Sequence, residues 1–322
     1  MCFSLRVIWR KHHPGDIPMR FIRTFAPAAL IALALGLFLA PTAIAEEVRL
    51  KQGDLTLNAQ LDMADGKTLK DGLVLVVHGT LAHNDMDTLN NLRTILNDRG
   101  LNTLAINLSL AIDDRHGMYD CATPHRHHHL DALEEIAHWM DWLKDQGAGP
   151  VVLFGHSRGG NQSARFAAER GHALLSKLVL LAPATWDADK AAAGFEKTHG
   201  RPLAQELGKA ESLVKSGKSA QMMPKMGLLY CPGADVMAGS FVSYYRPDPR
   251  FNTPAILGEI KVPVLVMAGS EDNVVSDLPQ RMEGKADGKR VTFDVIDGAG
   301  HFFLDLFAED VADRIEDFLA EG

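Results

Sequence analysis

The sequence is short of several features that would each define a class of protein. No stretch is low in complexity and no period of solenoid length recurs, which excludes an extended repeat architecture. Basic residues are in deficit: 33 Lys and Arg face 41 Asp and Glu, for a net charge of −8. An acidic surface repels phosphate backbones and anionic lipid headgroups, so no nucleic-acid partner is expected. The apolar run over residues 28–40 is too short for a comfortable bilayer span. Cysteine is scarce, with 3 in 322 residues, which leaves room for one internal bridge at most. What remains is ordinary: 46% hydrophobic and 23% charged residues suit one large α/β domain with an insertion, or two small domains.

The first 45 residues read as a secretory signal. Arg20 and Arg23 precede the apolar run, and Ala43 and Ala45 are the small residues at −3 and −1 of a cleavage site after Ala45. An uncleaved membrane anchor is the alternative. Cleavage removes five basic residues and one acidic residue, leaving 28 basic against 40 acidic over residues 46–322, a balance of −12, with no membrane span. A bacterial style of signal points to the periplasm or the medium. Cys2 is lost with it, so Cys121 and Cys231 remain, both in loop-like surroundings. In an oxidising compartment they form a candidate disulfide, with two separate buried thiols as the alternative.

Residues 48–52 and 55–61 alternate apolar and polar side chains, as two half-buried strands would, with Gly53-Asp54 as the turn. Continuous apolar runs at 73–77, 103–108, 151–154, 177–181, 264–267 and 291–295 read as further strands, the first of them buried on both faces of a parallel sheet. Helical patterns lie between them at 87–97, 130–143 and 158–169, and a last one closes the chain at 303–319. This alternation predicts an α/β fold: a mostly parallel sheet with helices on both faces. Residues of about 184–260 break the rhythm and read as a helical cap inserted between two sheet strands within the 46–322 domain.

The chemistry concentrates in three loops. Gly155-His156-Ser157-Arg158-Gly159 follows one strand directly and precedes a helix, the context a G-x-S-x-G elbow requires. A serine on so sharp a turn needs neighbours without side chains two residues away, and the helix start offers free N–H groups to developing negative charge. Ser157 is thus the candidate nucleophile. Serine needs a base, and of 14 histidines His301 is placed for it, past the last strand in Gly298-Ala299-Gly300-His301. Asp272, in the loop after strand 264–267, is the candidate orienting acid; Glu271 is its rival, and Asp294 and Asp297 read as solvated. The oxyanion needs two donors, expected from the Arg158 and Thr80 amides. His78, at the end of its strand, reads as a structural hydrogen-bonder. No metal or organic cofactor is called for.

These four pieces, covering about 70–183 and 260–320, resemble the α/β-hydrolase superfamily, and a lysophospholipase- or esterase-like member is nearest in look. The resemblance implies an eight-stranded, mostly parallel sheet, acyl-enzyme chemistry on a small-molecule acyl substrate, and a cap that varies with substrate. Serine at the nucleophile position disfavours the dehalogenase and epoxide hydrolase branches. An acyltransferase, amidase or peptidase would use the same three residues, and a non-catalytic envelope protein could bind a ligand or metal on the same scaffold. Oligomeric state and substrate are not legible.

Three features admit two readings each. His125 and His127–His129, with His116 and Cys121 nearby, look like a metal cluster, but adjacent histidines rarely face one ion and no carboxylate set accompanies them; a solvated loop at the site's rim is expected. Met222, Met223, Met226, Phe241, Tyr244 and Tyr245 line an acyl pocket or form the cap's own core. The Arg158 side chain meets an anionic substrate group or, as expected here, an acidic neighbour.

Overall fold

The computed structural model describes residues 44–321. The predicted signal, apart from its last two residues, lies outside them. Ile44 and Ala45 open strand β1 (Ile44–Gln52), which turns at Gly53, φ +58°, into antiparallel β2 (Leu55–Met63). The chain then alternates: β3 (Leu73–Val77), α1 (Asp87–Asp98), β4 (Thr103–Asn107), α2 (Asp131–Asp145), β5 (Val151–His156), α3 (Arg158–Glu169) and β6 (Leu175–Leu181).

After β6 the chain leaves the sheet. It forms α4 (Ala188–His199), α5 (Leu203–Lys215), a two-stranded ribbon of β7 (Met222–Met223) and β8 (Val236–Met237), α6 (Ala238–Tyr245) and the short α7 (Thr253–Ile256). It returns as β9 (Val264–Gly269), α8 (Leu278–Met282), β10 (Val291–Ile296) and α9 (Phe307–Ala320). The excursion is not uniform. Helix α5 packs on α6, whereas α7 packs on α3 and belongs to the body.

Eight strands form one sheet in the order β1-β2-β4-β3-β5-β6-β9-β10, antiparallel between β1, β2 and β4 and parallel from β4 to β10. Every residue of β3, β5 and β9 is buried, so both sheet faces are covered. That is why these strands read as unbroken apolar runs rather than alternating ones. Helix α1 pairs with α9, and α2 with α3. The last helix begins at Phe307 instead of residue 303, because Phe303 and Asp305 adopt positive φ (+45° and +57°) and cannot continue a right-handed turn. No helix among the described residues is long and apolar enough to cross a membrane.

Candidate active site

The elbow between β5 and α3 is built by close approach. A Cβ on Gly159 would stand 2.2 Å from the His78 carbonyl oxygen, and one on Gly155 would stand 2.5 Å from the Gly159 carbonyl oxygen and 2.6 Å from Ser163 Oγ. Neither position admits a side chain, since fixed backbone atoms stand in the way. Ser157 takes φ +56°, ψ −120°, a conformation that costs a non-glycine residue on the order of 1–3 kcal/mol. The surroundings over-determine it: the Ser157 N–H donates to the Leu181 carbonyl at 2.9 Å, and its own carbonyl accepts from Ala184 N at 2.9 Å. The strain lifts the hydroxyl above the sheet's C-terminal edge.

Two further loops converge there. His301 Nε2 lies 3.0 Å from Ser157 Oγ, and His301 Nδ1 lies 2.8 Å from Asp272 Oδ2. Asp272 Oδ1 accepts from the amides of Val274 (2.7 Å) and Val275 (3.0 Å). Burial alone would raise the Asp272 pKa, but the His301 ring and these two amides outweigh it and hold the carboxyl below its ordinary value. The acid loop and the histidine loop are stitched together. Glu271 N donates to Ala299 O at 3.0 Å, Gly298 N donates to Ser270 Oγ at 2.8 Å, and a Cβ on Gly269 would stand 2.2 Å from the Ala299 oxygen. The rival Glu271 is exposed and points elsewhere, and Asp294 and Asp297 stand in contact with solvent.

The Gly79–Thr80 loop lies against the elbow, a Gly79 Cβ being 3.2 Å from Ser157 Cβ. The backbone N–H groups of Thr80 and Arg158 find no acceptor among the described residues. His78 is fully buried beneath this loop. Its Nδ1–H donates to Gly79 O (2.9 Å), and its Nε2 accepts from Leu108 N (3.1 Å) and from the Arg115 guanidinium (3.0 Å). Burial pushes its pKa down to about 3, so it is neutral and structural, as read from sequence.

Sequence reasoning missed His156, the second residue of the elbow motif. Its Nε2–H donates to the His301 carbonyl at 2.9 Å and so ties the base's backbone to the nucleophile's. Its adjacency to Ser157 was the available signal. The walls of the cleft were also missed. Met86, Met118, Leu229, Tyr230, Phe302 and Leu304 enclose about 610 Å³ in front of Ser157 and His301. Met118 and Phe302 are exposed apolar side chains, and they come from loops that carry no periodic signal.

Cys121 and Cys231 are joined by a disulfide, with Cα atoms 5.2 Å apart and a sequence separation of 110. Beside it, His125 N donates to Asp235 O (2.8 Å) and Met237 N donates to His125 O (2.9 Å), so the loop after β4 is clipped to the inserted segment along several residues.

Two expectations are corrected. The histidine stretch is not a solvated rim: His125, His127 and His129 are at most 1% exposed. Alternate residues turn inward under the inserted segment, where His125 Nδ1 meets His127 Nε2 (3.0 Å), His127 Nδ1 meets the Tyr244 hydroxyl (2.8 Å), and the His129 ring stacks on Phe251. The Arg158 side chain forms no ion pair with an acidic residue among the described residues. Its Nε donates to Thr80 Oγ1 (3.1 Å) and its guanidinium carbon lies 5.5 Å from the centre of the Tyr244 ring. Met223, Met226 and Phe241 are buried in the hydrophobic core, while Tyr244 and Tyr245 border a second, smaller cavity of about 290 Å³ that opens beside Arg158.

A doubly covered, mostly parallel sheet with a serine on its strand-to-helix elbow defines a class of protein. The chain belongs to the alpha/beta hydrolase family, whose model matches residues 74–314. Among solved structures it is similar to Est1E from Butyrivibrio proteoclasticus with ferulic acid bound, at 18% identity and a TM-score of 0.61, over 85% of this chain and 98% of that one. It is also similar to the monoacylglycerol lipase of Paleococcus ferrophilus (17% identity, TM-score 0.54, 86% and 98% covered). A complex of DcsB with its substrate analogue gives 17% identity, a TM-score of 0.62, and 86% and 99% coverage. At such identities the likeness speaks for the fold alone. No curated protein matches the sequence.

Proposed function

We propose that this chain is an exported serine hydrolase that cleaves a carboxylic ester through an acyl-enzyme on Ser157. One observation carries the reading: the unbroken chain of hydrogen bonds from Asp272 through His301 to Ser157, at 2.8 and 3.0 Å. His301 takes the hydroxyl proton as Ser157 Oγ attacks the acyl carbonyl, while Asp272 holds the ring with Nδ1–H toward itself and Nε2 toward the serine. The Thr80 and Arg158 amides, without acceptors of their own, receive the oxyanion. His301 then protonates the departing alcohol, and water activated by the same nitrogen releases the acid. The apolar walls at Met86, Met118, Leu229 and Phe302 suit an uncharged portion of the substrate. Export rests on the signal pattern of residues 1–45 and accords with the Cys121–Cys231 disulfide, which an oxidising compartment preserves.

Labelling with a fluorophosphonate tests the assignment, with Ser157→Ala run beside the wild type. The wild type is expected to label and to hydrolyse short acyl esters, and Ser157→Ala to do neither. Labelling that persists in Ser157→Ala, or a wild type that neither labels nor turns over ester, removes the reading.

A further inference from the structure

The buried arginines Arg93, Arg115 and Arg165 each hold two or more acceptors or an ion pair, whereas the half-buried Arg158 holds one acceptor. Arg93 pairs with Asp62 at 2.7 Å, and Arg165 pairs with Glu169 at 2.7 Å and Asp248 at 3.4 Å. Arg115 donates to the carbonyls of Leu108 and Gly117. Arg158, next to the nucleophile, has one acceptor only, the hydroxyl of Thr80, and among the described residues no carboxylate or carbonyl faces its two terminal nitrogens. This happens in a chain with 41 acidic residues, where a carboxylate is easily supplied. Two carboxylates stand near the cleft: Asp87 lines it but forms no ion pair with Arg158, and Asp272 is committed to His301 and to two backbone amides.

The surroundings add no compensating charge. Arg158 lies over the Tyr244 ring, and the nearest bases, His127 and His129, are buried and held neutral, with the Arg158 charge contributing to that. Burial also holds the guanidinium's own pKa below its ordinary value. An arginine kept partly out of water without a partner is destabilising, and its planar fork matches a carboxylate in a bidentate fashion. The side chain borders both the cleft that holds Ser157 and His301 and the second cavity, where Asn161, Thr185 and Trp186 add polar edges.

We infer that Arg158 is a specificity residue that receives a carboxylate of the substrate, so that the preferred ester carries an anionic group a few carbon atoms from the scissile carbonyl. The inference rests on the serine-ester reading and deepens it. The separation is short because the guanidinium belongs to the residue that follows the nucleophile. Either side of the ester bond fits such a carboxylate: a half-ester of a short dicarboxylic acid carries it on the acyl part, and an acyl ester of a short hydroxy acid carries it on the alcohol part.

Both arms are testable with the full mature chain. Monoethyl glutarate and the acetyl ester of 4-hydroxybutyrate are each compared with the isosteric carboxamide. The wild type is expected to favour the carboxylate at least tenfold in kcat/KM in one arm. Arg158→Gln is expected to bring that ratio to one or below, and Arg158→Lys to retain part of it. Because the readout is a ratio, a general loss of rate cancels. Should Arg158→Gln fail to fold, inhibition of the wild type decides: glutarate is expected to compete at least tenfold more tightly than glutaramide. Fluorophosphonate labelling of Ser157 without any preference for the anion, in turnover or in inhibition, overturns the role of Arg158 and leaves the serine-hydrolase reading standing. Absence of labelling and of all turnover overturns both.

Discussion

The sheet's C-terminal edge and the segment above it hold their polar groups by different means. At the edge, each candidate group sits on a tight loop held mainly by backbone contacts: the strained Ser157 elbow between two close-packed glycines, and the Asp272 and His301 loops stitched through Ser270, Glu271 and Ala299. In the inserted segment the fixing contacts run between residues far apart in sequence. Cys121 is bonded to Cys231, His127 to Tyr244, and His125 to Asp235. The difference teaches where a substitution should act. A change at the edge should disturb chemistry with little effect on folding, and a change in the clipped segment should disturb stability and the shape of the cleft.

The largest effect should come from the edge. Asp272→Asn keeps the size of the side chain but presents an amide to His301, favouring the wrong tautomer. The expected loss is about 10³- to 10⁴-fold in kcat, or roughly 4–5.5 kcal/mol of barrier. Steady-state kinetics beside a thermal melt checks both halves of the comparison. A melting temperature that falls as steeply as the rate would show that the edge is not locally held. The double variant Cys121→Ser, Cys231→Ser probes the other region. Releasing a bridge that closes so long a loop should lower stability by about 2–5 kcal/mol. Leu229 and Tyr230, which precede Cys231 and wall the cleft, should loosen with it, and KM should rise more than kcat falls. An unchanged denaturant midpoint would mean that the backbone pairing at His125 clips the segment without help.

The same division decides what the sequence disclosed. The doubly buried strands, the elbow, and the acid and histidine loops were legible because each obeys a short-range rule: unbroken apolar runs, glycines at fixed offsets, polar loops after strands. The eight-stranded sheet is what the family resemblance implied, and those runs supply six of its strands. What was illegible depends on long-range packing. Nothing near His125 in the sequence shows that Asp235 and Tyr244 would fold over it, so the stretch reads as a solvated rim. Nothing near Arg158 shows that no carboxylate would arrive. The cleft walls at Met118 and Leu229 lie in loops whose mutual placement the disulfide fixes, and a sequence cannot display that pairing's geometry. The false start of α9 is different in kind, since apolar Phe303 and acidic Asp305 gave no sign of their positive φ.

The smallest effect separates the two regions by proton uptake. Burial pushes the pKa of His127 down to about 3 and of His125 to about 4, and at the edge those of His78 to about 3 and His156 to about 4. All lie below the ordinary value near 6.5 that the unfolded chain recovers. As pH falls through 6.5 the unfolded chain therefore binds protons that the native chain refuses, and stability drops until the folded values are reached. Above 6.5 these residues impose no slope. Each fully buried ring adds about 1.4 kcal/mol per pH unit within that window, so melts from pH 7.5 to 4.5 should show a steep acid loss. His127→Gln removes one such ring from beneath the inserted segment. It should be somewhat less stable at pH 7.5 through its lost bond to Tyr244, yet its stability should fall by about 1.4 kcal/mol less per pH unit below 6.5. A slope identical to wild type would mean that the segment opens to water and lets His127 titrate before the sheet unfolds, which would make the clipped region the weaker of the two.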